Sequence, residues 1–266
     1  MEGLDLIERT FRARLSHIEE SVKLVMSAQR FHALQALAYP PNREDLDPYA
    51  LNVIEEFHQL NLEGITVLYR GAFIASYSAF EAFFSECVAC IVSSFPSQFG
   101  TFSAMPVGIR NEIDRTISKA LATLSGGRAT RGLQRELLVS SFGSCHEHDG
   151  AFQVYADAHK KYLEMPNAES IKAILSRLGV DLNWDKIGDD KDLRKHFNAK
   201  NTRESSKLLT SYIDKIISMR NSLVHIEAAD PVINEEDVSE ILKFYRYFTP
   251  PFLKIISSKK YLKKMN

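Results

Sequence analysis

The chain has 266 residues, 45% of them apolar, and 33 Lys plus Arg face 34 Asp plus Glu for a formal net charge of −1. That composition can fill the core of one large domain and argues against disorder. The balanced charge excludes a globally basic nucleic-acid-binding surface, so any RNA contact has to be local.

The three cysteines argue against a disulfide framework and for a reducing compartment. The start, Met1-Glu2-Gly3-Leu4-Asp5, has no basic-then-apolar leader pattern. There is also no uninterrupted run of about 18 apolar residues. The expectation is a soluble, cytoplasmic protein with no membrane contact. Only 12 Gly and 9 Pro, clustered rather than spread, leave long uninterrupted segments and point to an all-α chain.

Over residues 2–37, Leu4, Ile7, Phe11, Leu15, Ile18, Val22, Val25 and Gln29 recur at steps of three and four. Arg12, Arg14, Glu19, Glu20 and Lys23 lie between them. This is a long amphipathic helix, and its single stripe fits packing either on the domain or on the same helix of a second copy. Tyr39-Pro40-Pro41-Asn42 stops it, because proline lacks an amide donor and disfavours helix before it. A second helix is predicted from Asp47-Pro48 through Leu51, Ile54, Phe57 and Leu60. Residues 1–61 thus read as an N-terminal helical extension, followed by a helical domain over 62–266.

From Leu62 to Phe95 nearly every face is apolar, which predicts a central buried helix. Its few charges, Glu63, Arg70, Glu81 and Glu86, then need partners. Residues 96–168 carry much Gly and Pro punctuation and read as an insertion of short helices and loops. Within it, Gly126-Gly127-Arg128-Ala129-Thr130-Arg131-Gly132-Leu133-Gln134-Arg135 has three arginines and no acid. Arg128, Arg131 and Arg135 make it either a phosphate-contacting loop or a solvated turn.

Asn167-Ala168-Glu169-Ser170 supplies a cap for a short helix through Ile171, Ile174, Leu175 and Leu178, ended by Gly179. Residues 185–204 are charged and expected to be exposed. Ser205–Met219 then places Leu208, Leu209, Tyr212, Ile213, Ile216 and Ile217 at helical spacing. Asn234-Glu235-Glu236-Asp237 caps a last helix through Val238, Ile241, Leu242, Tyr245 and Phe248. Pro250-Pro251 is expected to interrupt it before the basic tail Lys259–Lys264.

Cys87-Val88-Ala89-Cys90 has zinc-ligand spacing, and Cys145-His146-Glu147-His148 could complete a set. Zinc pairs usually sit on turns, whereas Cys87 and Cys90 fall in an apolar helix where free cysteine acts as a small buried hydrophobe. No metal site is expected. Neither a serine nucleophile elbow nor a Gly-rich phosphate loop occurs.

What remains is Ser218-Met219-Arg220-Asn221-Ser222-Leu223-Val224-His225, which closes a helix with an Arg and a His five positions apart. One reading is structural, since both cations complement the negative end of the helix dipole. The other is catalytic. On an ideal helix the two residues differ by roughly 140° in direction and ~7.5 Å along the axis. Either the helix ends or distorts before His225, or two chains each lend an Arg and a His to one cleft.

This Arg-Asn-x3-His run resembles the signature of the HEPN superfamily, helical domains many of which are metal-independent ribonucleases. Three further features resemble its RiboL-PSP and MAE-type branch: Ala75-Ser76-Tyr77-Ser78-Ala79-Phe80-Glu81-Ala82-Phe83-Phe84, then Pro166–Lys172 with Leu178-Gly179, and the spacing from there to Arg220. The likeness covers roughly 62–250, with 96–165 poorly matched. Ile226 stands where many members have Gly after the His.

The resemblance implies an HEPN-like helical bundle and an endoribonuclease that leaves a 2′,3′-cyclic phosphate. Arginine keeps its charge and offers a planar fork to phosphate oxygens. Histidine, with an unperturbed pKa of about 6.5, suits proton transfer at working pH. Arg220 is therefore expected to stabilise the phosphate and His225 to act as acid or base. Asn221 would orient His225 or bind phosphate, and a buried Glu81 would hydrogen-bond Arg220. No cofactor is needed, the substrate is RNA, and a homodimer supplies acid and base from two copies. The setting implied is bacterial defence or a toxin–antitoxin pair, with an antitoxin or other defence-system protein as partner. Two other readings stay open: a catalytically silent HEPN module that binds RNA, a nucleotide or a protein, and a purely structural scaffold.

Overall fold

The computed structural model describes residues 2–38, 63–125, 132–147, 150–161, 163, 165, 167–225 and 232–258. The helix expected from Asp47-Pro48, the arginines Arg128 and Arg131, Ile226 and the basic tail lie outside them. Among the described residues the protein is all-α, with no strand. The helices are α1 (Glu2–Ala38), α2 (Glu63–Ser93), α3 (Phe95–Phe99), α4 (Val107–Ser125), α5 (Arg135–His146) and α6 (Ala156–Lys161). They continue with α7 (Ala168–Arg177), α8 (Trp184–Gly188), α9 (Lys191–His196), α10 (Thr202–His225) and α11 (Glu235–Ser257).

The centre is α2, as its all-round apolar sequence requires. It buries Phe73, Tyr77, Phe80, Phe83, Phe84, Cys87, Val88 and Val92, and α1, α6, α10 and α11 pack around it. Val67–Phe99 is also long and apolar enough to cross a bilayer, and half of its most apolar stretch is buried inside the protein.

Of the two packings open to α1, the domain takes it: Phe11, Leu15 and Val22 are buried, and Phe11 stacks on Phe83 at 4.6 Å. Arg246 of α11 donates to Glu19 of α1, and the Tyr69 phenol of α2 donates to Gln29 at 2.8 Å. Glu86 finds its partner in Lys160 of α6, at 2.8 Å.

Two expectations are corrected. Pro250 and Pro251 do not interrupt the last helix, because α11 runs on to Ser257. Proline removes two amide donors there, but the turns around it bury Phe248, Pro251, Phe252, Leu253, Ile255 and Ile256. Phe80 stacks on Tyr245 at 4.9 Å and Phe248 on Phe252 at 4.9 Å. Burial of this aromatic stripe outweighs the lost backbone bonds. The stretch 96–168 is likewise more than short helices and loops. It contains the 19-residue α4, whose Ile109, Ile113, Ile117 and Ala120 are buried.

Local signals elsewhere do what their chemistry suggests. The Asn167 side chain caps α7 by accepting from the Ser170 amide, and Gly179 takes the positive φ of +78° that ends it. Asn234 and Asp237 form a reciprocal capping box at α11. The charged stretch after Trp184 is held down by buried Ile187 and Leu193. Gly188 lets α8 press against α10: a Cβ there would lie 2.5 Å from Ser206 Oγ and 2.8 Å from its backbone nitrogen.

Candidate functional site

The helix α10 carries the Arg-Asn-x3-His run at its C-terminal end, and it is unbroken from Thr202 to His225. Leu209, Ile213, Ile216 and Ile217 are buried and fix its roll. Ser218, Asn221 and Val224 consequently face solvent, while Arg220 is half-buried. The side chain of His225 lies outside the described residues.

Arg220 reaches back onto α2. Its guanidinium carbon lies 5.5 Å from the centroid of the Tyr77 ring, within range of a cation–π contact. One terminal nitrogen donates to Asn221 Oδ1 at 3.2 Å. Among the described residues no carboxylate pairs with Arg220, so its charge is carried by a ring face and a neutral amide.

Glu81 departs from its expected role: it is half-buried rather than buried, and its charge acts on the Tyr77 phenol. The two stand one turn apart on α2, so the carboxylate lies on the same face as the phenol whose ring supports the guanidinium. Burial first, and then Glu81, pushes the Tyr77 phenol up to about 12, while Arg220 pulls the other way. Tyr77 therefore stays a neutral donor at any working pH. Beneath it the Tyr245 hydroxyl is fully buried without a hydrogen-bond partner.

Tyr77 and Tyr245 were not foreseen as site residues. The i,i+4 spacing of Tyr77 and Glu81, inside the stretch that carries the HEPN resemblance, was the available signal. Arg135, the one described arginine of the proposed loop, is exposed in the first turn of α5 and makes no contact with Arg220 or Asn221.

No family model, curated protein or solved structure matches the chain.

A cavity of about 310 Å³ adjoins the same helix, on the side of Tyr212, Ile216 and Met219, and is closed by His196, Phe197 and Glu240. His196 Nδ1 lies 3.8 Å from Glu240. Burial lowers the pKa of this imidazole against the pull of that carboxylate. Tyr212 meets Phe244 edge-on at 4.9 Å, which gives the cavity an aromatic wall about two turns before Arg220. No group of three or more His, Cys, Asp or Glu side chains arranged for a metal occurs among the described residues.

Proposed function

We propose that the chain is a metal-independent endoribonuclease with HEPN-like architecture, acting as a homodimer and leaving a 2′,3′-cyclic phosphate on RNA. The observation that carries this reading is Arg220, a half-buried cation braced on the Tyr77 ring and paired with no carboxylate among the described residues. A structural arginine complementing the helix dipole has no need of such a brace. A cation meant for a phosphorane gains from one, since a preorganised charge costs no reorganisation when negative charge develops.

In this mechanism His225 of one copy takes the 2′-hydroxyl proton, and the 2′-oxygen attacks the adjacent phosphorus. Arg220 holds the developing dianionic phosphorane through its fork. The bond to the 5′-oxygen breaks, and that oxygen receives a proton from His225 of the second copy. The unbroken course of α10 supports the two-copy arrangement, because positions five apart on an ideal helix face roughly 140° apart. Asn221, already bonded to Arg220, holds the fork in plane, and Glu81 positions it through Tyr77. The aromatic cavity beside Tyr212 is large enough for a base. By resemblance, the setting is a bacterial defence or toxin–antitoxin system with a protein antagonist.

The deciding experiment incubates the purified full chain with single-stranded and looped RNA, with and without EDTA, and maps product ends. Cleavage that resists EDTA, leaves cyclic phosphate ends and disappears in both Arg220→Ala and His225→Ala supports the proposal. Mixed dimers carrying one variant of each kind test whether the site is shared. Cleavage unchanged in both variants overturns the proposal, and RNA binding without cleavage moves the protein to the silent module.

A further inference from the structure

The cavity beside Tyr212 is bounded by α9, α10 and the start of α11. One polar side chain inside it is left incomplete. His196 lines the space with only 7% of its side chain exposed, yet it makes no hydrogen bond among the described residues. The nearest acid, Glu240 Oε2, stands 3.8 Å from Nδ1, beyond hydrogen-bond reach. Burial keeps the imidazole neutral against that carboxylate, so it offers one donor and one acceptor. The Tyr212 hydroxyl is likewise unbonded among the described residues, and burial, then Glu240 and Asp237, keep it protonated. Buried polar groups of this kind cost stability unless something completes them.

The acids around the space differ in what they leave available. Asp237 is engaged at the start of α11, where its Oδ2 accepts from the Asn234 amide. Glu240 is steadied from outside: Lys243 donates to its Oε1 at 2.8 Å, which leaves Oε2 open towards His196. A carboxylate accepts and never donates, so it selects a group that presents two donors side by side. Among the four RNA bases only guanine does so, with its N1–H next to its N2 amino group. Adenine and cytosine set an amino group beside an acceptor nitrogen, and uracil has one N–H between two carbonyls. The rings of Tyr212 and Phe197 meet edge-on with centroids 5.8 Å apart and give the aromatic wall on which an unpaired base stacks. Met219 lines the cavity and Arg220 is the next residue, so a base held there keeps its strand beside the corner.

We propose that this cavity is a base-specificity subsite for guanine, whose N1–H and N2 amino group donate to Glu240, whose O6 accepts from His196 and whose ring lies against Tyr212. Placing that base in an RNA strand rests on the nuclease reading, whereas the recognition of guanine does not. The base is uncharged, so the acids do not oppose its entry, and its phosphate stays outside near the exposed Lys215.

The test titrates the full-length protein with guanosine, inosine, adenosine, cytidine and uridine 5′-monophosphates, and separately with spermidine, following the imidazole NMR signals of His196. Expected is saturable binding of the guanine nucleotide, about tenfold or more tighter than of the adenine, cytosine or uracil nucleotides. Inosine monophosphate, which lacks the N2 amino group, should bind several-fold more weakly. Glu240→Gln exchanges one acceptor for a donor, so it should lose the guanine preference and gain affinity for adenine. A merely structural carboxylate would not reverse the order. Tyr212→Leu should weaken all bases alike, and Glu240→Gln, at a part-exposed position, keeps the test valid if that variant folds poorly. Equal affinity for all bases, tighter binding of spermidine than of any nucleotide, or an unchanged order in folded Glu240→Gln overturns the proposal. Guanine-selective binding without RNA cleavage supports the site and sinks only the nuclease reading. Cleavage indifferent to guanine overturns the subsite and leaves the nuclease reading in place.

Discussion

The Arg220 corner and the Glu112 cleft, which lies between α4, α6 and α7, both gather cations beside buried side chains, but by opposite means. At the corner, a ring face and a neutral amide hold one guanidinium and leave its charge intact. In the cleft, one buried carboxylate aligns two guanidiniums and consumes part of their charge and donors. A charge left whole is suited to negative charge that appears only during a reaction. A charge partly spent on a carboxylate instead ties α4 to α7.

The strongest test of that contrast is activity. His225→Ala should lower RNA cleavage about 10²–10⁴-fold, as expected for loss of a general acid or base. Arg220→Ala should lower it roughly 10²–10³-fold, as for loss of an electrostatic stabiliser. Single-turnover rates measure both, with circular dichroism showing that the variants fold. Glu112→Gln should leave cleavage untouched, and an effect on cleavage there would erase the division between the two regions.

The next effect is on stability against pH. Burial drives the His159 pKa to about 4 from its ordinary 6.5, opposed by Glu112 and reinforced by Arg115. Between these values the unfolded chain binds a proton that the native site refuses. Stability therefore rises with pH across the window and is lost as pH falls from about 6.5 towards 4, by on the order of 3 kcal/mol. Urea titrations at several pH values should show this slope in the wild type and a flatter one in His159→Gln.

Smaller effects follow from the partners. Glu112→Gln should cost about 1.5–3 kcal/mol, the worth of hydrogen bonds between charged groups, read from the urea midpoint. Tyr77→Phe keeps the ring under Arg220 but removes the hydroxyl near Glu81. It should cost about 1 kcal/mol and reduce cleavage only a few-fold. A loss as large as that of Arg220→Ala would mean that the phenol, not the ring, is the functional part.

Periodicity made the architecture legible where burial alone decides it. The stripe of α1, the apolar α2 and the cap before α11 all appear in the sequence because each is a local pattern. The prolines of α11 misled because their penalty is local, whereas what overrides it, the stacking of Phe80, Tyr245, Phe248 and Phe252, joins residues distant in sequence. In the same way Arg220 and Asn221 could be picked out by chemical type, while the Tyr77 brace could not. It depends on how α10 rolls against α2. The Glu112 cleft was invisible for a related reason: its residues come from three helices, with no shared spacing.

The tight crossing at Gly188 gives the Arg220 corner a remote dependence. Ser206, which Gly188 touches, and Arg220 belong to one continuous helix and are fourteen residues apart, or about 21 Å. A rod seated so closely at one end behaves as a lever. An added methyl group at the crossing would tilt it about the Ser206 contact, and the displacement would grow along the shaft towards the guanidinium. The alignment of Arg220 on its ring is thus set partly by an absent side chain more than half the helix away, and a substitution there would shift the guanidinium while leaving every group of the corner in place.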